Sequence, residues 1–209
     1  MGRNTGASCK QCRREMMKLF LKGERCKTAN CSFEKRSFPP GVHGLRPKKL
    51  TNYGMQLREK QKVKRIYGLY EKQFRNTFHK ASSMRGVTGE MLLQLLERRL
   101  DNVVYRMGIA TSRQSARQIV SHGLILVNGK RCDIPSYTVK TNDEISLSSK
   151  MSENAAILES LETCEKNQAA PYWLSVDFKD KKAQVLSFPK REDIDYEIQD
   201  HLIVELYSK

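Results

Sequence analysis

Two stripes of apolar residues organise the middle of the chain. Ile66, Tyr70, Phe74 and Phe78 recur every four residues, and Leu92, Leu95, Leu96, Leu100, Val103, Val104 and Met107 keep the spacing of a buried helical face. They predict helical structure over 51–85 and one or two packed helices over 88–107. From Thr111 to Arg131 the period changes. A short helix is expected, with Thr111 as N-cap, Gln114 reaching back to it, Ile119 and Val120 inward and Gly123 as a left-handed exit. An apolar strand at 124–127, an Asn128-Gly129 turn and a basic return strand follow. Residues 137–139 and 144–147 read as two more strands, completing a small curled sheet beside two helices. Residues 149–170 then read as a mixed helix carrying Ile157, Leu158 and Leu161. The terminal run 202–207 looks strand-like, and it should pack on the helices of 50–90, since an undocked apolar terminus is disordered.

Charge changes this picture from a fold to a partner. The 209 residues carry a net charge of +15, far more than solubility needs, and a surplus of this size repels itself in a compact state. Residues 1–87 hold 22 Lys/Arg against 5 Asp/Glu, whereas residues 149–209 hold 8 against 12. The first segment is therefore expected to carry affinity for a polyanion, and the acidic tail to meet something else. No stretch reaches the ~20 apolar residues of a membrane span, and the N-terminus lacks the apolar core of a signal peptide. A cytosolic chain without a membrane partner is expected, so its six cysteines are not expected to be disulfides.

Four of those cysteines cluster. Cys9, Cys12, Cys26 and Cys31 follow Cys-x2-Cys-x13-Cys-x4-Cys, a spacing that can place two thiolate pairs around a tetrahedral metal. Zn2+ is the expected ion, with an iron–sulfur cluster as the alternative. Lys10, Arg13, Arg14 and Lys27 are expected to lower the thiol pKa values. With no open ligand position evident, the site would be structural. Met16, Met17, Leu19, Phe20 and Leu21 supply the apolar patch that such a knuckle needs, while Cys132 and Cys164 read as ordinary thiols.

The remaining cations fall in three groups. Residues 38–49 contain three prolines and two glycines, so Arg46, Lys48 and Lys49 are expected on an extended backbone suited to a phosphate ridge. Arg58, Lys60, Lys62, Lys64 and Arg65 form a helical run with few acids. Arg113 and Arg117, four apart, share a helical face close to Lys130 and Arg131 at the hairpin turn. Arg98, Arg99 and Asp101 have no nucleophile or second acid placed to make a catalytic group, so no enzyme is expected. His43 and His79 stand without partners at metal spacing.

Longer motifs then come into view. Arg98-Arg-Leu-Asp-Asn-Val-Val-Tyr-Arg-Met-Gly, Thr111-Ser-Arg-Gln-Ser-Ala-Arg-Gln-Ile-Val-Ser-His-Gly and Leu126-Val-Asn-Gly-Lys-Arg resemble a widespread RNA-binding module. Cys9-Lys-Gln-Cys-Arg-Arg-Glu, Lys18-Leu-Phe-Leu-Lys-Gly-Glu-Arg-Cys, Pro39-Pro-Gly-Val-His-Gly, Tyr53-Gly-Met-Gln-Leu-Arg-Glu-Lys-Gln-Lys-Val and the ending His201-Leu-Ile-Val-Glu-Leu-Tyr-Ser-Lys extend the match. Nearly the whole chain resembles the uS4 family of small-subunit ribosomal proteins, in its four-cysteine variant.

That resemblance implies an α+β chain: a mainly helical domain with an N-terminal metal knuckle and an inserted α/β RNA-binding module of two helices on a short curled sheet. The implied domains are 1–45, 46–96 completed by 190–209, and 97–189 with its helical extension. The implied function is a structural one, binding the 5′ domain of 16S-type rRNA and nucleating subunit assembly. It also implies a place at the mRNA entry pore through Arg46, Lys48 and Lys49, contact with the fifth small-subunit protein linked to translational accuracy, and repression of its own message in many bacteria. The chain would be a monomer within a cytoplasmic or organellar ribosome. Candidate RNA-binding residues are Arg3, Lys10, Arg13, Arg14, Lys22, Arg58, Lys60, Lys62, Lys64, Arg65, Arg113, Gln114, Arg117, His122, Asn128, Lys130 and Arg131. Over 149–195 the match is loose and implies no site residues.

Overall fold

The computed structural model describes residues 6–45, 49–151, 154–166 and 170–208, so Arg3, Arg46 and Lys48 lie outside the described residues. The chain divides into two compact units, residues 1–92 with 196–209, and residues 93–195.

The first unit begins with α1 (Ser8–Glu15), which ends as Met16 turns left-handed, and the short α2 (Ser32–Lys35). Then come α3 (Asn52–Ile66), α4 (Glu71–Ser82) and the start of α5 (Thr88–Glu97). The Thr51 hydroxyl caps α3 by accepting from the Gly54 amide at 3.1 Å. The expected stripe from Ile66 to Phe78 is not one helix. Gly68 takes φ +64 and separates α3 from α4, which leaves Tyr70 half exposed at the α4 N-cap while Ile66, Phe74 and Phe78 are buried.

The terminal run is a helix, α9 (Asp200–Tyr207), and not a strand. It packs along α3, with Ile203 buried and the Tyr207 ring stacked on Phe78 and Phe74 at centroid distances of 4.5 and 6.3 Å. Ile203 and Tyr207 are four apart, so helical winding puts both on one face, whereas a strand would put them on one face only by leaving Glu205 there too. Gly89 lies directly against the Asp200 carboxylate, where any Cβ would clash.

The second unit holds the end of α5, α6 (Leu100–Arg106), α7 (Arg113–Ser121) and α8 (Ala155–Lys166) with one antiparallel sheet. The sheet is larger than expected. Its order is β2-β1-β3-β5-β4, with β1 Ile125–Val127, β2 Lys130–Cys132, β3 Glu144–Leu147, β4 Leu174–Asp177 and β5 Lys182–Val185. Residues 137–139 are not a sheet strand. Thr138 forms an isolated bridge to Arg99, and the Val139 amide donates to the Arg98 carbonyl at 2.9 Å. The core gathers Leu100, Val103, Val104, Ala116, Val120, Ile125, Ile145, Trp173 and Val185 from helices and sheet alike. Among the described residues no helix is long and apolar enough to cross a membrane.

Candidate nucleic-acid interface

The basic run of α3 is neutralised from within its own unit. Lys60 and Lys64 both reach Glu71, at 2.6 and 3.0 Å. Lys62 pairs with Glu59 at 2.6 Å and donates to the Glu197 carbonyl at 2.8 Å. Arg58 and Arg65 converge on Glu15 of α1, whose side chain is 2% exposed. Burial pushes the Glu15 carboxyl up, and the two guanidiniums pull it back. Four of the five candidate cations of this helix therefore hold α1, α3 and α4 together, Lys62 ties α3 to the segment before the last helix, and the five do not form a free basic face.

The α7 arginines also turn inward. Arg117 is buried and donates to Asp101 at 2.9 Å, while Arg99 grips the same carboxylate through two bonds of 2.9 and 3.1 Å. Arg113 donates to Asn102 at 2.7 Å and lies over the Tyr105 ring at 4.5 Å. Glu97, fully buried, accepts from Asn102 and from Arg106, and Arg106 continues to Asp195. Burial alone would lower the Arg106 pKa, and these two carboxylates raise it instead. The cap of α7 is Ser112 and not Thr111, its hydroxyl accepting from the Ser115 amide at 3.3 Å.

Of the candidate contacts on α7 and the hairpin, Gln114, His122, Asn128, Lys130 and Arg131 are exposed. Gly123, at φ +67, leaves room for the Arg131 guanidinium, which donates to the His122 carbonyl at 3.4 Å, so a hairpin cation sits at the helix C-terminus. Asn128 is committed to the turn. With Gly129 it takes positive φ, its amide donates to Asp143 at 2.9 Å, and its oxygen accepts from the Glu144 amide at 2.9 Å.

Around the cysteines, Lys10, Arg14 and Lys22 are exposed and carry no ion pair among the described residues. Arg13 is half-buried over the Phe38 ring at 5.0 Å and donates to the Phe38 carbonyl at 2.9 Å. Lys49 is exposed. Cys12, Cys26 and Cys31 are buried and Cys9 partly so, none of them in a disulfide. The Lys22 amide donates to the Cys26 sulfur at 3.4 Å. Burial pushes the Cys12 thiol up, with Cys26, Cys9 and Cys31 adding to the shift, which reverses the lowering expected from nearby cations. Four thiols close enough to feel one another are soft donors of the kind zinc takes, yet among the described residues no group of three or more His, Cys, Asp or Glu side chains is arranged to hold a metal ion.

One group of outward cations is overshadowed in the sequence pattern. Lys72, Arg75 and Lys80 on α4 are exposed, but along 66–78 the aromatic repeat dominates the pattern and conceals them.

Residues 3–97 match the family described as Ribosomal protein S4/S9 N-terminal domain, and residues 98–145 match the S4 domain. Over all 209 residues the chain is 56% identical to the small ribosomal subunit protein uS4 of Clostridioides difficile (strain 630), with both chains covered completely. It is 54% identical to the protein of the same description from Thermodesulfovibrio yellowstonii, and 57% identical over 210 aligned positions to that of Desulfotalea psychrophila, again with full coverage of both. The chain belongs to the uS4 family. In this uS4 chain the two family segments meet between Glu97 and Arg98, at the end of α5, while the compact units divide at 92 and 195. The S4 segment stops inside β3, so α8 and the β4–β5 hairpin are additions to the second unit beyond it.

Proposed function

We propose that the chain is a structural, RNA-binding component of the small ribosomal subunit in the cytoplasm, without a catalytic role. The observation that carries this reading is identity above one half, over full length, to proteins described as small ribosomal subunit protein uS4. The distribution of charge supports it. Exposed cations near the cysteines, on α4 and at the hairpin can neutralise phosphates, and the buried acids and arginines of the second unit satisfy one another instead of facing a substrate. Sedimentation of a cell extract tests the reading: the chain should travel with the small subunit, and a stable free pool would count against it.

Within that role the chain binds the 5′ domain of small-subunit rRNA, nucleates assembly there, approaches the mRNA path through Lys49 and its neighbours, and touches the fifth small-subunit protein. The outward residues Lys10, Arg14, Lys22, Gln114, His122, Lys130 and Arg131 are the contacts this reading favours. Cys9, Cys12, Cys26 and Cys31 would hold a structural Zn2+, which would tie the ends of the knuckle together. The closeness of the other three thiols to Cys12 and the amide hydrogen bond to Cys26 support this part. Elemental analysis of purified protein should give about one zinc per chain; no metal, or iron with sulfide, would contradict it.

A further inference from the structure

Between residues 60 and 89 the chain has one acidic residue, Glu71. It opens α4 but is turned away from that helix's outer side, taken up by Lys60 at 2.6 Å, Lys64 at 3.0 Å and the Tyr207 hydroxyl at 2.9 Å. Lys72, Arg75, Asn76, His79 and Lys80 remain, all exposed. They fall at i, i+3, i+4, i+7 and i+8, one helical face about 12 Å long at 1.5 Å per residue. The opposite face is fixed. Phe74, Phe78 and Ala81 are buried, and both phenylalanines stack on Tyr207.

Lys72 and Arg75, three positions apart, are like charges that repel, and with no acid among the outward residues this face carries a cost in the isolated chain. No carboxylate among the described residues pairs with Lys72, Arg75 or Lys80. The side chains directed outward along this face include no large apolar residue, because none of the exposed large hydrophobics falls within 71–82. A protein partner would want an aromatic or aliphatic anchor at the centre of its contact. A phosphate ridge wants only spaced cations and hydrogen-bond donors.

We propose that the outer face of α4, centred on Lys72, Arg75 and Lys80, is a contact surface for the sugar-phosphate backbone of RNA. It takes the role that the sequence pattern suggested for α3, whose cations are spent on internal carboxylates. The inference rests on the RNA-binding reading above and adds where on the first unit the phosphates lie.

The test compares the wild-type chain with the variant Lys72→Gln, Arg75→Gln, Lys80→Gln in equilibrium binding to a small-subunit rRNA transcript at several salt concentrations. The slope of log K against log[salt] should fall in magnitude by about 2 to 3, at about 0.7–0.9 per phosphate contact, and affinity at low salt should drop by about tenfold or more. The thermal midpoint should move little, because among the described residues Lys72 and Lys80 support no other side chain and Arg75 makes only an exposed bond within α4, donating to His79 Nε2 at 3.4 Å. A charge-keeping variant, Lys72→Arg, Arg75→Lys, Lys80→Arg, should retain the wild-type slope. An unchanged slope in the glutamine variant overturns the inference while leaving the RNA-binding reading intact. So does loss of binding to polyglutamate with an unchanged RNA slope, which would assign the face to an acidic protein. Wild-type binding that does not distinguish this rRNA from an unrelated transcript is the separate result that removes the reading itself.

Discussion

Arg113 and Arg117 show how a residue's neighbours decide what its charge is for. Their four-residue spacing does put them on one face, but that face is also occupied by Ala116 and Val120, both fully buried. The positions 113, 116, 117 and 120 form a single i, i+3, i+4, i+7 stripe, so two buried apolar members direct the two arginines inward. That much was legible in the sequence. The acids that receive them, Glu97 at the end of α5 and Asp101 in α6, come from two other helices, and their convergence depends on packing that no spacing announces. A charge buried in this way is costly unless paired, so Arg117→Ala should lower unfolding free energy by about 3 kcal/mol, the low end for a broken buried pair because Arg99 still holds Asp101. Urea denaturation measures the loss. A variant of unchanged stability whose RNA salt slope falls would show instead that Arg117 faces phosphate. Asn128 carries the same lesson in a milder form: its place in an Asn-Gly turn was plain, and the turn itself uses both ends of its amide.

At the scale of elements, helices were easier to place than their junctions. Gly68 breaks the aromatic stripe at positive φ, a break that a perfect four-residue repeat conceals. The run 202–207 has the residues of a strand and the spacing of a helix, and the choice is made by α3, along which it packs, and by α4, which offers Phe74 and Phe78 to Tyr207. The β4–β5 hairpin was not legible because Trp173 and Val185, its core residues, lie outside the motifs that organise the rest of the second unit.

Glu71 joins these elements, and it makes their association depend on acid. Partial burial pushes its carboxyl up, but hydrogen bonds from Lys60, Lys64 and Tyr207 outweigh that and hold its pKa at about 2, against an ordinary 4.5. A folded-state pKa below the unfolded one stabilises the fold fully above about pH 4.5, and that contribution disappears as pH falls toward 2. Glu71→Gln should therefore flatten the decline in thermal midpoint between pH 4.5 and 2. Parallel curves for wild type and variant would mean that the Glu71 contacts do not couple α4 to α9.

On the scale of the whole molecule, the +15 net charge is consistent with a polyanionic partner, although it does not identify which cations meet it. Much of the positive charge on α3 and α7 is internal glue, which concentrates the exposed surplus on the cysteine region, α4 and the β1–β2 hairpin. Both compact units thus present cations, and family membership gives that arrangement its context. Gradient sedimentation of a cell extract, with the chain quantified in each fraction and the small-subunit peak then washed at rising salt, tests whether the chain is held in the small subunit by phosphate contacts. Near-stoichiometric chain is expected in that peak at physiological salt, with release at high salt as the phosphate contacts are screened. A major pool of chain sedimenting apart from the small subunit at physiological salt would contradict it.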